Sequence, residues 1–434
     1  MVDSSSFSIE NRKKFLEEAT GSKFDFVFTN CGFKEALFCL IASGLGFRCA
    51  LFCKYDFENK LHTVVDTKDA GKKSIISLRE RFPHLILPDE YLHVQKEKKR
   101  FAGLFSNAIK EKDLSRYESA LQLGEGASVS LENEFKINAN RLLISIIKSA
   151  VENGVCILNH VDCEPGSEGD LIVSDRLNLI EDSYSIHYNK LAQFADLNSE
   201  QKTELQIYLN KKGLFLKRSL KFHVEDKLVR LIRYQDHFLL ICESDDMNLD
   251  FVKKVLDELS SMFVHEISFS EDDIISSQIV LVDSMDNLKE QLSVLEKYCK
   301  QHLNVSGSEF VERLHKFSII DSHFEGRKEI QELIEFADFK YDEAKQTGID
   351  PISFKNVFYR FGSESEQLTE LAYEWRAKYG PGEKLWQNVQ LWYLYKHEMI
   401  CSMDDYYARI NSIDKTNPSN LSIDEEVMNK CLFV

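Results

Sequence analysis

Several signatures that would assign a chemistry outright are missing. The chain has no HExxH pair, no GxSxG nucleophile elbow and no Walker A phosphate loop. Its ten cysteines form no CxxC pair. With no metal-ligand spacing among histidines and cysteines, no metal is expected. There are only six prolines and little low complexity, so no long disordered linker is expected. No apolar run is long enough to cross a bilayer, and no internal repeat is visible. A surplus of positive charge is also absent. The net charge of −17 excludes general nucleic-acid binding and electrostatic attachment to an anionic membrane. No basic amphipathic helix supports membrane contact either. The N-terminal MVDSSSFSIENRKKFLEEA lacks an apolar signal core and reads as a polar lead-in with a short helix.

What is present is a soluble globular composition, 43% hydrophobic and 29% charged over 434 residues. That length suits two or three domains. Cys39, Cys49 and Cys242 sit inside apolar runs and read as buried free thiols. Thiols of that kind fit a reducing, cytoplasmic setting.

Residues 24–57 organise the rest. Phe26-Val27-Phe28 is a short apolar run, followed by a turn at Thr29–Gly32. An apolar segment runs from Ala36 to Ala42, with a glycine stop at Gly44 and Gly46. A second apolar run follows, from Cys49 to Cys53. This is the strand–turn–helix–strand layout that opens a dinucleotide-binding fold.

Further along, KSIISLRERF (73–82) predicts a helix with Ile75, Ile76, Leu78 and Phe82 as its apolar side, ended by Pro83. LILPDEYLHVQ reads as extended. The basic run KEKKR (96–100) reads as a solvated surface loop. Short helices are expected over 101–123, and strand or loop over SVSLENEFKI. The clearest helix is 138–153, with Asn138 as N-cap, a stripe of Leu142, Leu143, Ile146, Ile147 and Ala150, and a stop at Gly154. VCILNHV (155–161) is a buried strand, and GDLIVSDRLNLIED (169–182) predicts a hairpin or strand pair. Residues 184–209 read as partly helical. Residues 214–243 predict an antiparallel meander with turns at 224–227 and 234–237. Amphipathic helices at 249–263 and 286–302 flank VHEISFS and IISSQIVLVD. From 307 the chain reads as helical to its end, with breaks at Gly326, 347–351 and 379–382.

Taken in order, these stretches resemble the FAD-dependent glycerol-3-phosphate dehydrogenase family. KYDF at 54–57, FPHLILP, INANRLLISIIKSAVENGVCILNHV, VRLIRYQDHFLLICESDD, GIDP followed by YRFGSESEQLTELA, and WYLYKHEMICSMDDYYARI carry the likeness. The resemblance implies an α/β fold: a Rossmann-like FAD-type domain interleaved with an antiparallel β-rich substrate-type domain over 24–306. A lead-in over 1–23 precedes it, and an all-α C-terminal domain over 307–434 follows.

The resemblance also implies FAD, but the flavin contacts do not carry over. The positions matching the family's Gly-x-Gly-x-x-Gly are Thr29, Asn30, Cys31, Gly32, Phe33 and Lys34, so Thr29, Cys31 and Lys34 replace all three glycines. Those glycines serve a tight turn, close approach to the pyrophosphate, and helix–strand packing. Cys53 stands where the family has the acid that holds the ribose, and Glu58 lies nearby but out of place. The family's Ser/His/Gly/Arg-rich segment is shortened to 58–82. Its Gly-Lys-x-Thr-Thr-Tyr-Arg segment leaves Arg327 as the one remnant. FAD is therefore implied by the resemblance and expected to be lost.

Arg218 and Arg233 occupy the region where the family binds substrate; the other reading is strand-surface charge. His62 is a remnant substrate contact or a loop histidine. His160 reads as a hydrogen-bonded core or rim group. His397 and Glu398 are better explained by packing. Three functions remain open: a non-catalytic descendant used in binding or assembly, an active FAD enzyme oxidising glycerol 3-phosphate or a related alcohol, and a binder of another ligand in the vacated cleft. A protein partner or self-association is left open by the sequence.

Overall fold

The computed structural model describes residues 7–57, 64–66, 73–95, 108–109, 114, 118–122, 127–167, 169–180, 182–192, 202–210, 216–233, 237–243, 249–263, 274–282, 288–316, 330–410 and 423–431. Glu58, His62, Arg327, the basic run 96–100, VHEISFS at 264–270 and Gly326 lie outside them, as does most of 101–123.

The apolar run that opens the organising stretch becomes the strand Lys23–Phe28, buried at Phe24, Phe26, Val27 and Phe28. It lies inside a six-stranded sheet ordered Cys156–Leu158, Cys49–Phe52, Lys23–Phe28, Tyr184–Leu191, Leu171–Asp175, Val161–Pro165. The first four are parallel, and the last two add an antiparallel hairpin at one edge. Parallel neighbours need a crossover. The first is the helix Phe33–Ser43, whose apolar residues are buried nearly all round. Gly46, at φ 89°, turns the chain back into Cys49–Phe52. A non-glycine residue would be strained there.

The helix Ala139–Glu152 packs against Phe33–Ser43 through its predicted stripe, and Leu142, Leu143, Ile146, Ile147 and Ala150 are all buried. Asn138 caps it by accepting from the Arg141 N–H. Burying five aliphatic side chains of this kind stabilises by roughly 1.5–3 kcal/mol each, less for alanine, before chain entropy is charged against it.

The second sheet has nine strands, ordered Ile274–Val282, Lys202–Asn210, His237–Glu243, Lys227–Arg233, Ser219–Val224, Ile86–Gln95, Ser128–Ile137 and Val64–Asp66, with Ala108–Ile109 pairing Ser128–Ile137. Every pairing is antiparallel except Ser219–Val224 with Ile86–Gln95. The predicted meander over 214–243 is its centre. Its first turn places Glu225 and Asp226 at φ 49° and 66°, the paired left-handed residues of a tight hairpin. The helix Leu249–Ser261 covers this sheet, which has its own apolar core.

The C-terminal region is helical: Gly307–Lys316, Ile330–Ala344, Pro351–Phe361, Ser365–Tyr379, Glu383–His397, Met403–Ile410 and Glu425–Cys431. Asp350 caps the third of these and Pro351 occupies its first turn. These helices and the six-stranded sheet share one continuous apolar core. No helix among the described residues is long and apolar enough to cross a membrane.

Three local expectations are corrected. Residues 184–191 and 202–210 are strands, not helix. Tyr184–Leu191 is drawn into the sheet by parallel pairing with Lys23–Phe28, a partner far away in sequence. In the helix Lys73–Arg81, Ile75, Leu78 and Phe82 are buried at helical spacing, but Ile76 is 45% exposed. One residue is about 100° of helix, enough to turn Ile76 off that face. The last predicted long helix is broken after His397, where Glu398 leaves the helical region and Met399 takes φ 53°.

Candidate functional site

The turn after Lys23–Phe28 is where a dinucleotide-binding fold presents backbone N–H groups to phosphates. Here Thr29 and Lys34 are half-buried, Asn30 is exposed, and Gly32 is the N-cap of Phe33–Ser43. Cys31 and Phe33 are buried in the apolar core. Glu35, in the first turn of that helix and itself buried, folds back so that its Oε2 accepts from the Gly32 N–H at 3.1 Å. This is half of a capping box, with a carboxylate as the acceptor. The chain's own anion therefore occupies the place to which the helix N-terminus would draw a phosphate.

Cys53 follows the strand Cys49–Phe52 and is buried, as is Cys31. Burial pushes both thiols up from their ordinary value, Cys31 well above it. A neutral thiol in that position has no charge to offer ribose hydroxyls.

Beside this turn lies a network of buried charges that ties the sheet to the C-terminal helices. Arg141 grips Glu398 with two bonds, Nη1–Oε2 at 2.6 Å and Nη2–Oε1 at 2.8 Å, and its Nε donates to the Arg360 carbonyl. Lys148 pairs with Glu364. Arg409 grips Asp56 in the same bidentate way, at 2.5 and 2.7 Å. Asn159 donates to Asp56 at 2.8 Å and to the Met399 carbonyl at 3.2 Å. Arg12 binds Asp175 at 2.8 Å and donates to the carbonyls of Asn159 and His160. Asp405 accepts from the backbone N–H groups of Cys401 and Ser402, from the Cys401 thiol at 2.9 Å, and faces His160 Nε2 at 3.3 Å.

Burial alone would raise the Glu398 carboxyl. The Arg141, Lys148 and Arg409 cations outweigh it and hold the group below its usual range. Asp405 is likewise lowered: burial opposes, and His160, the Cys401 thiol and Arg409 prevail. Arg12 moves down because burial outweighs Asp175, whereas carboxylates outweigh burial and raise Arg141 and Arg409. His397 rests against the Tyr393 ring, with centroids 4.5 Å apart.

Arg218 and Arg233 lie on the nine-stranded sheet. Arg218 Nε donates to Glu90 at 2.8 Å, and Arg233 Nη1 donates to the Lys217 carbonyl at 2.9 Å. Ser219 accepts from the Arg233 N–H and donates to Asp89, whose carboxyl is raised by burial.

The sequence matches no protein-family model and no curated protein. In three dimensions the chain is similar to the glycerol-3-phosphate dehydrogenase from Bacillus halodurans complexed with FAD. The TM-score is 0.71 at 18% identity, over 95% of this chain and 90% of that one. The fold is that of an FAD-dependent oxidoreductase. Two other solved structures, the glycine oxidase from Bacillus cereus ATCC 14579 and the L-alpha-glycerophosphate oxidase from Mycoplasma pneumoniae with FAD bound, give TM-scores of 0.49 and 0.43. They are 10% and 11% identical over 65% and 69% of this chain and 95% and 96% of theirs. At those scores they add nothing to the assignment.

The residues at the fingerprint do not fit the pyrophosphate of FAD. The Gly32 N–H is bonded to Glu35, so an incoming phosphate would meet a carboxylate. A Cβ added at Gly32 would stand 2.7 Å from Glu35 Oε2, which measures how closely the side chain covers this turn. Six predicted positions, Thr29, Asn30, Cys31, Gly32, Lys34 and Cys53, fall at this turn and at the end of the neighbouring strand. Glu35 was missed because glutamate in a first helical turn is ordinary. Asp56, Arg141, Asn159, Glu398, Asp405 and Arg409 all lie in stretches that carry the family likeness. Nothing local marks them as partners of one another.

Proposed function

We propose that this chain is a glycerol-3-phosphate dehydrogenase-like protein that retains the fold without the flavin chemistry, and that it works by binding or assembly. The observation that carries this reading is the Glu35–Gly32 bond: the phosphate turn is closed by the chain's own carboxylate. Thr29, Cys31, Lys34 and Cys53 support it as replacements of the glycines and of the ribose-binding acid. FAD binding is proposed to be lost, and no reaction step is assigned. In this reading Arg218 is a surface partner of Glu90, and Arg233, at the end of an interior strand, is a partner of the Lys217 carbonyl. Ten free thiols support a reducing, cytoplasmic setting. The proposed division is a lead-in over 1–23, an interleaved α/β unit over 24–306 and a helical unit over 307–434.

The test is the visible spectrum of the purified protein. The expected result is no flavin absorption at any stoichiometric level. A yellow protein with bound flavin that bleaches on adding glycerol 3-phosphate would establish an active oxidoreductase instead.

A further inference from the structure

In the buried network one carboxylate is gripped by neither arginine nor lysine. Arg12 pairs with Asp175, Arg141 with Glu398, Lys148 with Glu364 and Arg409 with Asp56. Asp405 instead meets two backbone N–H groups, the Cys401 thiol and His160. The two N–H groups and Ser402 Oγ, which accepts from the Asp405 N–H at 3.1 Å, make an Ser-x-x-Asp capping box on Met403–Ile410. That box explains the position of Asp405. It does not explain why an imidazole and a thiol converge on the same carboxylate.

We propose that His160 Nε2, Cys401 Sγ and the Asp405 carboxylate form a binding site for a zinc-class divalent ion. Their ligand atoms all lie within 4.8 Å of one another. Tetrahedral zinc with bonds of about 2.0–2.3 Å holds its ligand atoms roughly 3.3–3.8 Å apart. The 3.3 Å His160–Asp405 separation already matches, and the 2.9 Å Cys401–Asp405 contact opens slightly as the ion enters. Thiolate, imidazole and carboxylate are the donors this ion prefers, and three protein ligands leave a fourth position for water.

The supporting shell is rigid. His160 is held at φ 48°, a left-handed conformation rare outside glycine. Its backbone N–H donates to the Tyr55 carbonyl, and its carbonyl accepts from Arg176 N–H and from Arg12. The imidazole is therefore aimed by its main chain. Its side chain is 17% exposed, which leaves the ion a route from solvent. On binding, the metal–sulfur bond forms and the Cys401 S–H proton leaves to water. The ion would staple the segment after Cys156–Leu158 to the start of Met403–Ile410. No local spacing announces this set, because its members are drawn from positions 160 and 401–405.

The inference does not depend on the loss of flavin binding. It is tested by titrating the chelator-treated full chain with Co(II), then displacing Co(II) with Zn(II). The expected result is one Co(II) per chain with a thiolate-to-cobalt charge-transfer band, and a higher melting temperature with Zn(II). Cys401→Ser should abolish the band. His160→Gln should weaken binding by more than the ~10–100-fold that outer-shell partners carry. The proposal is overturned if the wild-type chain shows neither band nor melting shift at excess metal, which would leave a plain His160–Asp405 ion pair. It is equally overturned if the band survives Cys401→Ser, or if His160→Gln binds as tightly as wild type.

Discussion

The fingerprint turn follows a strand of the six-stranded sheet, the buried charge network ties that sheet to the C-terminal helices, and the two answer to different constraints. At the turn, the resemblance sets Thr29, Cys31 and Lys34 against three glycines of the family. In the network, Arg141, Glu398, Asp56 and Arg409 keep bidentate geometry between residues far apart in the chain. The physical difference is what each region answers to. Of the three glycine roles, close approach to the pyrophosphate matters only when a ligand presses against the backbone, while the tight turn and helix–strand packing can be met by other local arrangements. Here Cys31 and Phe33 from that turn are buried in the apolar core. A buried charge answers to the fold itself, because removing one partner leaves the other desolvated and uncompensated. The fold can therefore persist while the phosphate turn changes.

The comparison is broken most severely by cutting the network on one side. Arg141→Ala leaves Glu398 buried without its main partner and should destabilise by about 3–5 kcal/mol, read as a lowered denaturation midpoint. Arg409→Ala should act alike through Asp56. If either variant melted like wild type, the network would carry no structural weight. A double replacement, Arg141→Met with Glu398→Leu, sharpens the point. Removing both charges together should recover most of the loss, since apolar pairs of similar volume often match buried ion pairs.

A medium effect should appear with pH. The Glu398 carboxyl is held below its ordinary value of 4.5 in the folded chain. A depressed carboxyl contributes stability that is complete above the unfolded value and is lost as pH falls through the folded one. Stability should therefore decline on the acid side of pH 4.5. Comparing denaturation midpoints of wild type and Glu398→Gln across that range checks it, and the variant should show a shallower decline. Parallel curves would assign the acid sensitivity to other carboxylates.

The smallest effect belongs to the turn. Glu35→Gln keeps an oxygen to accept from the Gly32 N–H and removes only the charge. A charge at an N-terminus contributes about 0.3–1 kcal/mol, so the melting curve should shift little. A loss as large as that of Arg141→Ala would place the turn on the same footing as the network.

Much of the fold was legible. The stripe at Leu142, Leu143, Ile146, Ile147 and Ala150 has one period and one cap, and the meander over 214–243 is marked by its turns. Tyr184–Leu191 was not legible, because its strand character comes from pairing with Lys23–Phe28 rather than from its own pattern. The break after His397 was hidden for a similar reason, since the Glu398 side chain is fixed by Arg141 across the molecule. At the site, the expectation at Thr29, Cys31 and Lys34 came from the resemblance alone. The Glu35 closure and the convergence of His160, Cys401 and Asp405 were not legible, because each depends on where a side chain turns once the backbone is folded.

The most direct measurement is a titration of the purified chain with FAD, followed by both calorimetry and thermal melting. A ligand that binds the native state raises stability by about 4 kcal/mol at a thousandfold excess over its Kd. The turn closed by Glu35 predicts no heat of binding and no shift in melting temperature. Stoichiometric binding with a rise in melting temperature would contradict it.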